Sequence, residues 1–180
     1  MIAVFDTSSL HALCKYYLPL DRNGDLKNLV DSKCLSGEIV VIEQVINEAR
    51  TLSGGIIINM LSFLNDRNYR TNTNGILPNL TFFNHLNNDF VDQNIVSSKG
   101  LDAIQVQNAK DRYVRGADGK LLIYSQSIIA NNPIVVTEES RLLNDGKTIK
   151  KIPVNCDTMG LQCCTLPILF KNYYQINITF

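Results

Sequence analysis

The chain has 180 residues, enough for one domain with its own core or for one domain carrying an insertion. Hydrophobic residues make up 45 % and charged residues 19 %, a balance that excludes a disordered chain. Lys+Arg and Asp+Glu are 17 each, so any hold on nucleic acid needs a local basic patch or metal-bridged phosphate contacts, not overall charge.

The chain opens on Ile2-Ala3-Val4-Phe5, a short apolar run that ends at Asp6 and is followed by Thr7-Ser8-Ser9. A buried strand stopping at a polar cluster marks the strand-to-helix junction of an α/β fold. Leu10, Leu13, Cys14 and Tyr17 then keep helical spacing until Pro19. Residues 21–36, with Asn23-Gly24, read as a loop and a short helix. Ile39-Val40-Val41-Ile42 is a second buried strand, β-branched throughout. Val45, Ile46 and Ala49 repeat at helical spacing after it and place Glu48 in a second helix, about two turns in at most. Residues 51–117 read as a helical and loop insertion. Within it Ile56 to Leu64 looks helical, the Asn-rich stretch 65–90 reads as loops, and an amphipathic helix is expected from about 100 to 114. Asp118 opens a run from Leu121 to Ala130 that is long enough for a helix, closed by Asn131-Asn132-Pro133. Ile134-Val135-Val136-Thr137 is the third strand, with Glu138-Glu139 at its end. Ile149 to Val154 is a weaker strand candidate, Leu166 to Phe170 a final short helix, and Tyr174 to Phe180 an edge strand or a loose tail. This alternation predicts a three-layer α/β/α fold with a mostly parallel central sheet, in a single domain spanning 1–180.

No apolar run approaches the ~20 residues that span a bilayer, and Met1 to Asp6 lacks the basic segment that opens a signal peptide. A cytoplasmic location with no membrane contact is therefore expected. The five cysteines are odd in number and form no C-x-x-C pair, which points to free, mostly buried thiols.

In an open parallel sheet, sites form outside the carboxyl ends of the strands. Asp6 and Glu139 fall at such ends, and Glu48 and Asp118 fall in helices whose N-termini face the same edge. Carboxylates packed together raise one another's pKa, so a cluster of this kind is tolerated chiefly around a cation. All-oxygen ligands select Mg²⁺ or Mn²⁺ over zinc, and such an ion suits phosphate chemistry. Taken one at a time, each acid also has a structural reading, as a helix cap or as a partner of a helix dipole.

These blocks resemble the PIN-domain ribonucleases. Asp6-Thr7-Ser8-Ser9-Leu10 is similar to their opening D-[TS]-[SN]-x-[LI]. Val41 to Glu48 is similar to their second block, and Ala117-Asp118-Gly119-Lys120-Leu121-Leu122-Ile123 to A-D-x-x-[LI]-[LI]-A. Val135-Val136-Thr137-Glu138-Glu139 is similar to V-V-T-x-[DE]. Lys151-Ile152-Pro153-Val154-Asn155-Cys156, followed by Gly160, is similar to the K-I-P-x-[VA]-C-x-x-x-G ending of a bacterial subgroup of that family. The match covers residues 1–50 and 117–170. Two positions depart from the pattern: the fourth acid is Glu139 where Asp is usual, with Glu138 as its alternative, and Ser140-Arg141-Leu142 replaces the usual aromatic.

The resemblance implies a metal-dependent endoribonuclease, in many relatives the toxin of a toxin–antitoxin pair and often a homodimer. Asp6, Glu48, Asp118 and Glu139 would be its metal ligands and catalytic acids, with Thr7, Ser8 and Thr137 supporting them through hydroxyl hydrogen bonds. Lys110, Arg112, Arg115 and Lys120 flank the third acid, and Lys147, Lys150 and Lys151 follow the fourth. Of these, Arg115, Lys120 and Lys147 are the candidates to hold RNA. The rival expectation is a PIN-type fold that binds RNA or protein without chemistry. A DNA nuclease with the same metal chemistry also remains open, whereas the acid pattern of a phosphoryl-accepting receiver domain is absent from the sequence.

Overall fold

The structure is a computed structural model that describes residues 1–142 and 145–176. Strand β1 (Ile2–Phe5) lies between β2 (Ile39–Val40) and β3 (Pro133–Val136), and β4 (Gln162–Cys164) pairs with the far side of β3. All three pairings are parallel. Successive strand residues point to opposite faces of a sheet. Ala3, Val4 and Phe5 are nonetheless all buried, as are Ile134, Val135 and Val136, so both faces of the sheet are covered by helices. The fold is α/β with a three-layer α/β/α arrangement, as the sequence predicts.

The helices are α1 (Thr7–Ala12), α2 (Asp25–Leu35), α3 (Glu43–Ala49), α4 (Ile56–Met60), α5 (Leu80–Asn88), α6 (Gln93–Lys99), α7 (Ala103–Arg115), α8 (Ala117–Ser127), α9 (Ile152–Met159) and α10 (Leu166–Ile168). Helix α1 runs on through a π-turn over Leu13–Tyr17 and a 3₁₀ turn over Leu18–Leu20 that contains Pro19. Helix α3 packs on both α1 and α8, and α8 also meets β3, α7 and α9. Among the described residues, no helix is long and apolar enough to cross a membrane. All five thiols are free; four are buried and Cys163 is half-buried.

Three local expectations are corrected, and one strand is new. The strand expected over Ile149 to Val154 is the start of α9, because Pro153 sits in the first helical turn, where its missing N–H costs nothing. Ile149 contributes only a single antiparallel bridge to Val91. The Asn-rich stretch 65–90 contains α5: Asn79 Oδ1 accepts from Phe82 N at 2.8 Å, and Phe82 and Leu86 bury one face. The second strand stops at Val40, since Ile42 already precedes α3 as its cap residue. Strand β4 was not anticipated; its three residues include no β-branched side chain. Of the expected tail, residues 177–180 lie outside the described residues, and Tyr174 to Ile176 form no strand.

The segment 51–117 supplies core as well as surface. Ile57, Leu61, Leu64, Phe82, Leu86 and Phe90 are buried in the same cluster as the sheet residues. Phe90 packs edge-on against both Phe82, at 5.8 Å between ring centroids, and Tyr113, at 6.1 Å.

Helices α7 and α8 approach so closely that only glycine fits at their junction. A Cβ on Gly119 would stand 2.0 Å from the Tyr113 carbonyl oxygen and 2.8 Å from its carbon. On helix propensity alone, Gly119→Ala would stabilise by about 1 kcal/mol. The clash reverses that sign, and Gly119→Ala is expected to lower stability by about 2–3 kcal/mol. A urea melt measures it; a raised midpoint would show that the two helices are not locked at this point.

Candidate active site

The register of the sheet assembles the first part of the site. Phe5 lies level with Val136, so Asp6 and Thr137 leave their strands side by side at the carboxyl edge. Asp6 N donates to Val136 O at 3.1 Å, and Thr137 N donates to Cys164 O at 3.0 Å. Asp6 is buried and also caps α1: its Oδ1 accepts from Ser9 N at 2.6 Å. Its Oδ2 accepts from Thr137 Oγ1 at 2.6 Å and from Ser8 Oγ at 2.8 Å.

The direction of these hydroxyl bonds is fixed from behind. Glu138 N donates to Ser8 Oγ at 2.9 Å, and Glu139 N donates to Thr137 Oγ1 at 3.1 Å. Both hydroxyls therefore accept from the backbone and turn their protons toward Asp6. Three donors fill three of the roughly four lone-pair positions of the carboxylate, which leaves one for a proton or a cation. Burial still dominates and pushes the Asp6 carboxyl up to about 6, against the pull of Thr137, Ser9 and Ser8.

Glu48 is the sixth of the seven residues of α3, within two turns of its start and near the end of a short helix. The helix is short enough that Glu48 still reaches the sheet edge, where Thr7 Oγ1 donates to its Oε2. Asp118 is the second residue of α8 and half-buried. Burial first, then the negative charges of Glu139, Asp6 and Glu48, push its carboxyl up to about 7, with Lys147 opposing. The four acids thus share one electrostatic environment. Among the described residues, however, no three His, Cys, Asp or Glu side chains are already gathered tightly enough to cage an ion.

The two glutamates after β3 go different ways. Glu138 is exposed and its Oε1 accepts from Leu166 N at 2.7 Å, at the start of α10. Glu139 is half-buried, and its Oε2 accepts from Ile152 N at 3.0 Å, at the start of α9. Its Oε1 faces Lys147 Nζ at 3.4 Å. Glu139, and not Glu138, is therefore the one that acts on Asp118.

Beside these acids opens a cleft of about 500 Å³. Glu48 and Asp118 line it together with five cationic side chains, Lys99, Arg112, Lys147, Lys150 and Lys151. Of the three residues expected to hold RNA, Lys147 lines the cleft, and Arg115 and Lys120 lie outside its lining. The Lys147 ammonium loses solvation, which lowers its pKa, but Glu139 and Asp118 more than offset this and hold it charged. Lys99 reaches the cleft from α6 by donating to Gly146 O. A contact between residues 47 apart leaves no local trace in the sequence.

Comparison with known proteins adds no relative: no family model matches the chain, and no curated protein or solved structure matches it either.

The raised carboxyls fix the sign of a pH effect. A carboxyl whose folded pKa lies above its unfolded value contributes stability that is full below about pH 4 and is lost as pH rises through the folded value. For Asp6 and Asp118 that loss begins above about pH 4 and is complete once the pH exceeds about 6 and about 7. Metal-free Asp118→Asn is therefore expected to melt several degrees above the parent at pH 8 and level with it at pH 4. Parallel thermal melts in a chelator check this, and an equal offset at both pH values would refute it.

Proposed function

We propose that the protein is a metal-dependent endoribonuclease that hydrolyses RNA phosphodiester bonds. The observation that supports this most is the convergence of Asp6, Glu48, Asp118 and Glu139, from four separate elements, on one carboxyl edge beside a cation-lined cleft. Structural acids tend to be dispersed or individually paired; here burial raises the pKa of both Asp6 and Asp118, and the charges of Glu139, Asp6 and Glu48 raise Asp118 further. The donor set is all oxygen and short of positive charge, which fits Mg²⁺ or Mn²⁺. Bound among these carboxylates, such an ion would activate water and neutralise charge on the phosphate.

The chain's own residues have distinct parts in this reading. Thr137, Ser8 and Ser9 hold Asp6 in a fixed orientation, and Thr7 holds Glu48. Lys147, Arg112 and Lys150 offer cationic partners for a phosphate backbone entering the cleft. Lys151 is buried and pairs with Asp145, so its part is to hold the loop after β3. The resemblance to toxins of toxin–antitoxin pairs extends the proposal to a cognate antitoxin and a homodimer.

One observation favours a second reading, a non-catalytic RNA- or protein-binding module: Glu139 is engaged by Ile152 N and Lys147. The two readings separate in one experiment. Purified protein is incubated with a pool of tRNA and mRNA and Mn²⁺, beside Asp6→Asn and Asp118→Asn, and Mn²⁺ binding is measured by calorimetry. Cleavage is expected in the parent and is expected to fall at least about 100-fold in either variant. Cutting that survives in both variants would sink the nuclease proposal; no cutting and no Mn²⁺ binding by the parent would favour the binding module.

Thr137→Val tests the support of Asp6 separately. It keeps the shape of a buried side chain and removes one donor. Mn²⁺ affinity is expected to fall about 10–100-fold, and an unchanged affinity would show that Thr137 does not orient a ligand.

A further inference from the structure

Tyr113 lines the cleft from α7, and neither the sequence motifs nor the proposed chemistry assigns it a part. Its hydroxyl has a direction that can be read from its neighbours. Asn155 is fully buried, and its Nδ2 lies 2.8 Å from Lys150 O and 2.9 Å from Tyr113 Oη. A backbone carbonyl can only accept, so the nitrogen of this amide, and not its oxygen, must face Lys150. The same nitrogen therefore donates to Tyr113, whose oxygen accepts and whose own proton is turned elsewhere. Asn155 Oδ1 is left buried without a hydrogen-bond partner, so this amide orientation is kept although it leaves an acceptor unsatisfied.

Among the described residues, that tyrosine proton meets no acceptor at hydrogen-bond distance. The hydroxyl lies within the field of Asp118 and Glu139, which together with burial keeps it protonated. Arg112, Lys147 and Lys150 line the same cleft as Tyr113. A neutral donor, directed and unspent, among cations is suited to an anionic oxygen. The tight junction at Gly119 holds the backbone of Tyr113 against the first turn of α8, which carries Asp118, so the donor is also held at a set place relative to the acids.

We infer that Tyr113 is a substrate contact, donating its hydroxyl proton to a phosphate oxygen of the bound strand, with Asn155 as its positioning residue. This rests on the proposed function only in that a phosphodiester enters the cleft. Binding and cutting can therefore be tested apart.

Tyr113→Phe keeps the ring that packs on Phe90 and removes only the hydroxyl. Parent and variant are titrated in EDTA with a 2′-O-methyl RNA oligonucleotide, which binds without needing the metal reaction. Mn²⁺ affinity and cleavage of the RNA pool are measured alongside. The expected result is about a tenfold loss of oligonucleotide affinity with Mn²⁺ affinity unchanged. Equal oligonucleotide affinity in parent and variant overturns the inference, as does a parent that binds no oligonucleotide. A loss of Mn²⁺ affinity in the variant also overturns it, since the hydroxyl would then serve the acids. If the parent binds in a Tyr113-dependent way and cuts nothing with Mn²⁺, the phosphate contact stands and the nuclease reading falls.

Discussion

The pairing of β1 with β3 is the constraint on which the rest of the site depends. The two strands are separated by 127 residues from Phe5 to Pro133, yet their parallel register sets Phe5 against Val136. That single alignment puts Asp6 beside Thr137 and draws Ser8 within reach of Glu138 N. A slip of one residue would turn every side chain of the strand to the other face, and the bonds from Thr137 to Asp6 and from Glu138 N to Ser8 would be lost together. The register is held by burial on both faces, because Ala3, Val4, Phe5 and their partners on β3 have nowhere else to go. Packing energy in the sheet is therefore what orients a charged group at its edge.

The cleft shows how a chain of zero net charge can present an anion-binding surface. Its acids gather at the strand ends, and Lys99, Arg112, Lys147, Lys150 and Lys151 gather across from them. At a spacing shorter than the Debye length of about 8–10 Å in ordinary salt, such a division persists locally whatever the total. Lys147 joins the two sides: its ammonium faces Glu139 and damps the repulsion that Asp118 feels.

The sequence was most legible where one residue type has one physical use. The apolar runs of β1 and β3, the polar cluster after Phe5 and the placement of Asp118 at a helix start could all be read directly. Local rules failed where a side chain is used outside its usual setting. Pro153 suggested a broken strand and instead opens α9; Asn79 looked like loop composition and instead caps α5. Glu48 was assigned to the right helix and within two turns of its start, but the end of that helix one residue later was not legible, since periodicity does not give helix length. Lys99 and the Tyr113–Asn155 pair were invisible for a different reason. Their neighbours lie 47 and 42 residues away, and no pattern along the chain encodes a contact of that range.

The two acids after β3 show that structural and chemical uses of a carboxylate need not compete. Glu138 and Glu139 each take up the first backbone N–H of a later helix, Leu166 N of α10 and Ile152 N of α9. Such N–H groups have no partner within their own helix, and a carboxylate there also complements the helix dipole. Glu138 is directed away from the cleft by this contact. Glu139 accepts from Ile152 with Oε2 only, while Oε1 turns toward Lys147 and the acid cluster. An aspartate, shorter by one methylene, would have less reach to span α9 and the cluster at once. The longer side chain at this position thus lets one residue tie β3 to α9 and still leave an oxygen for Lys147, which lines the cleft with Asp118.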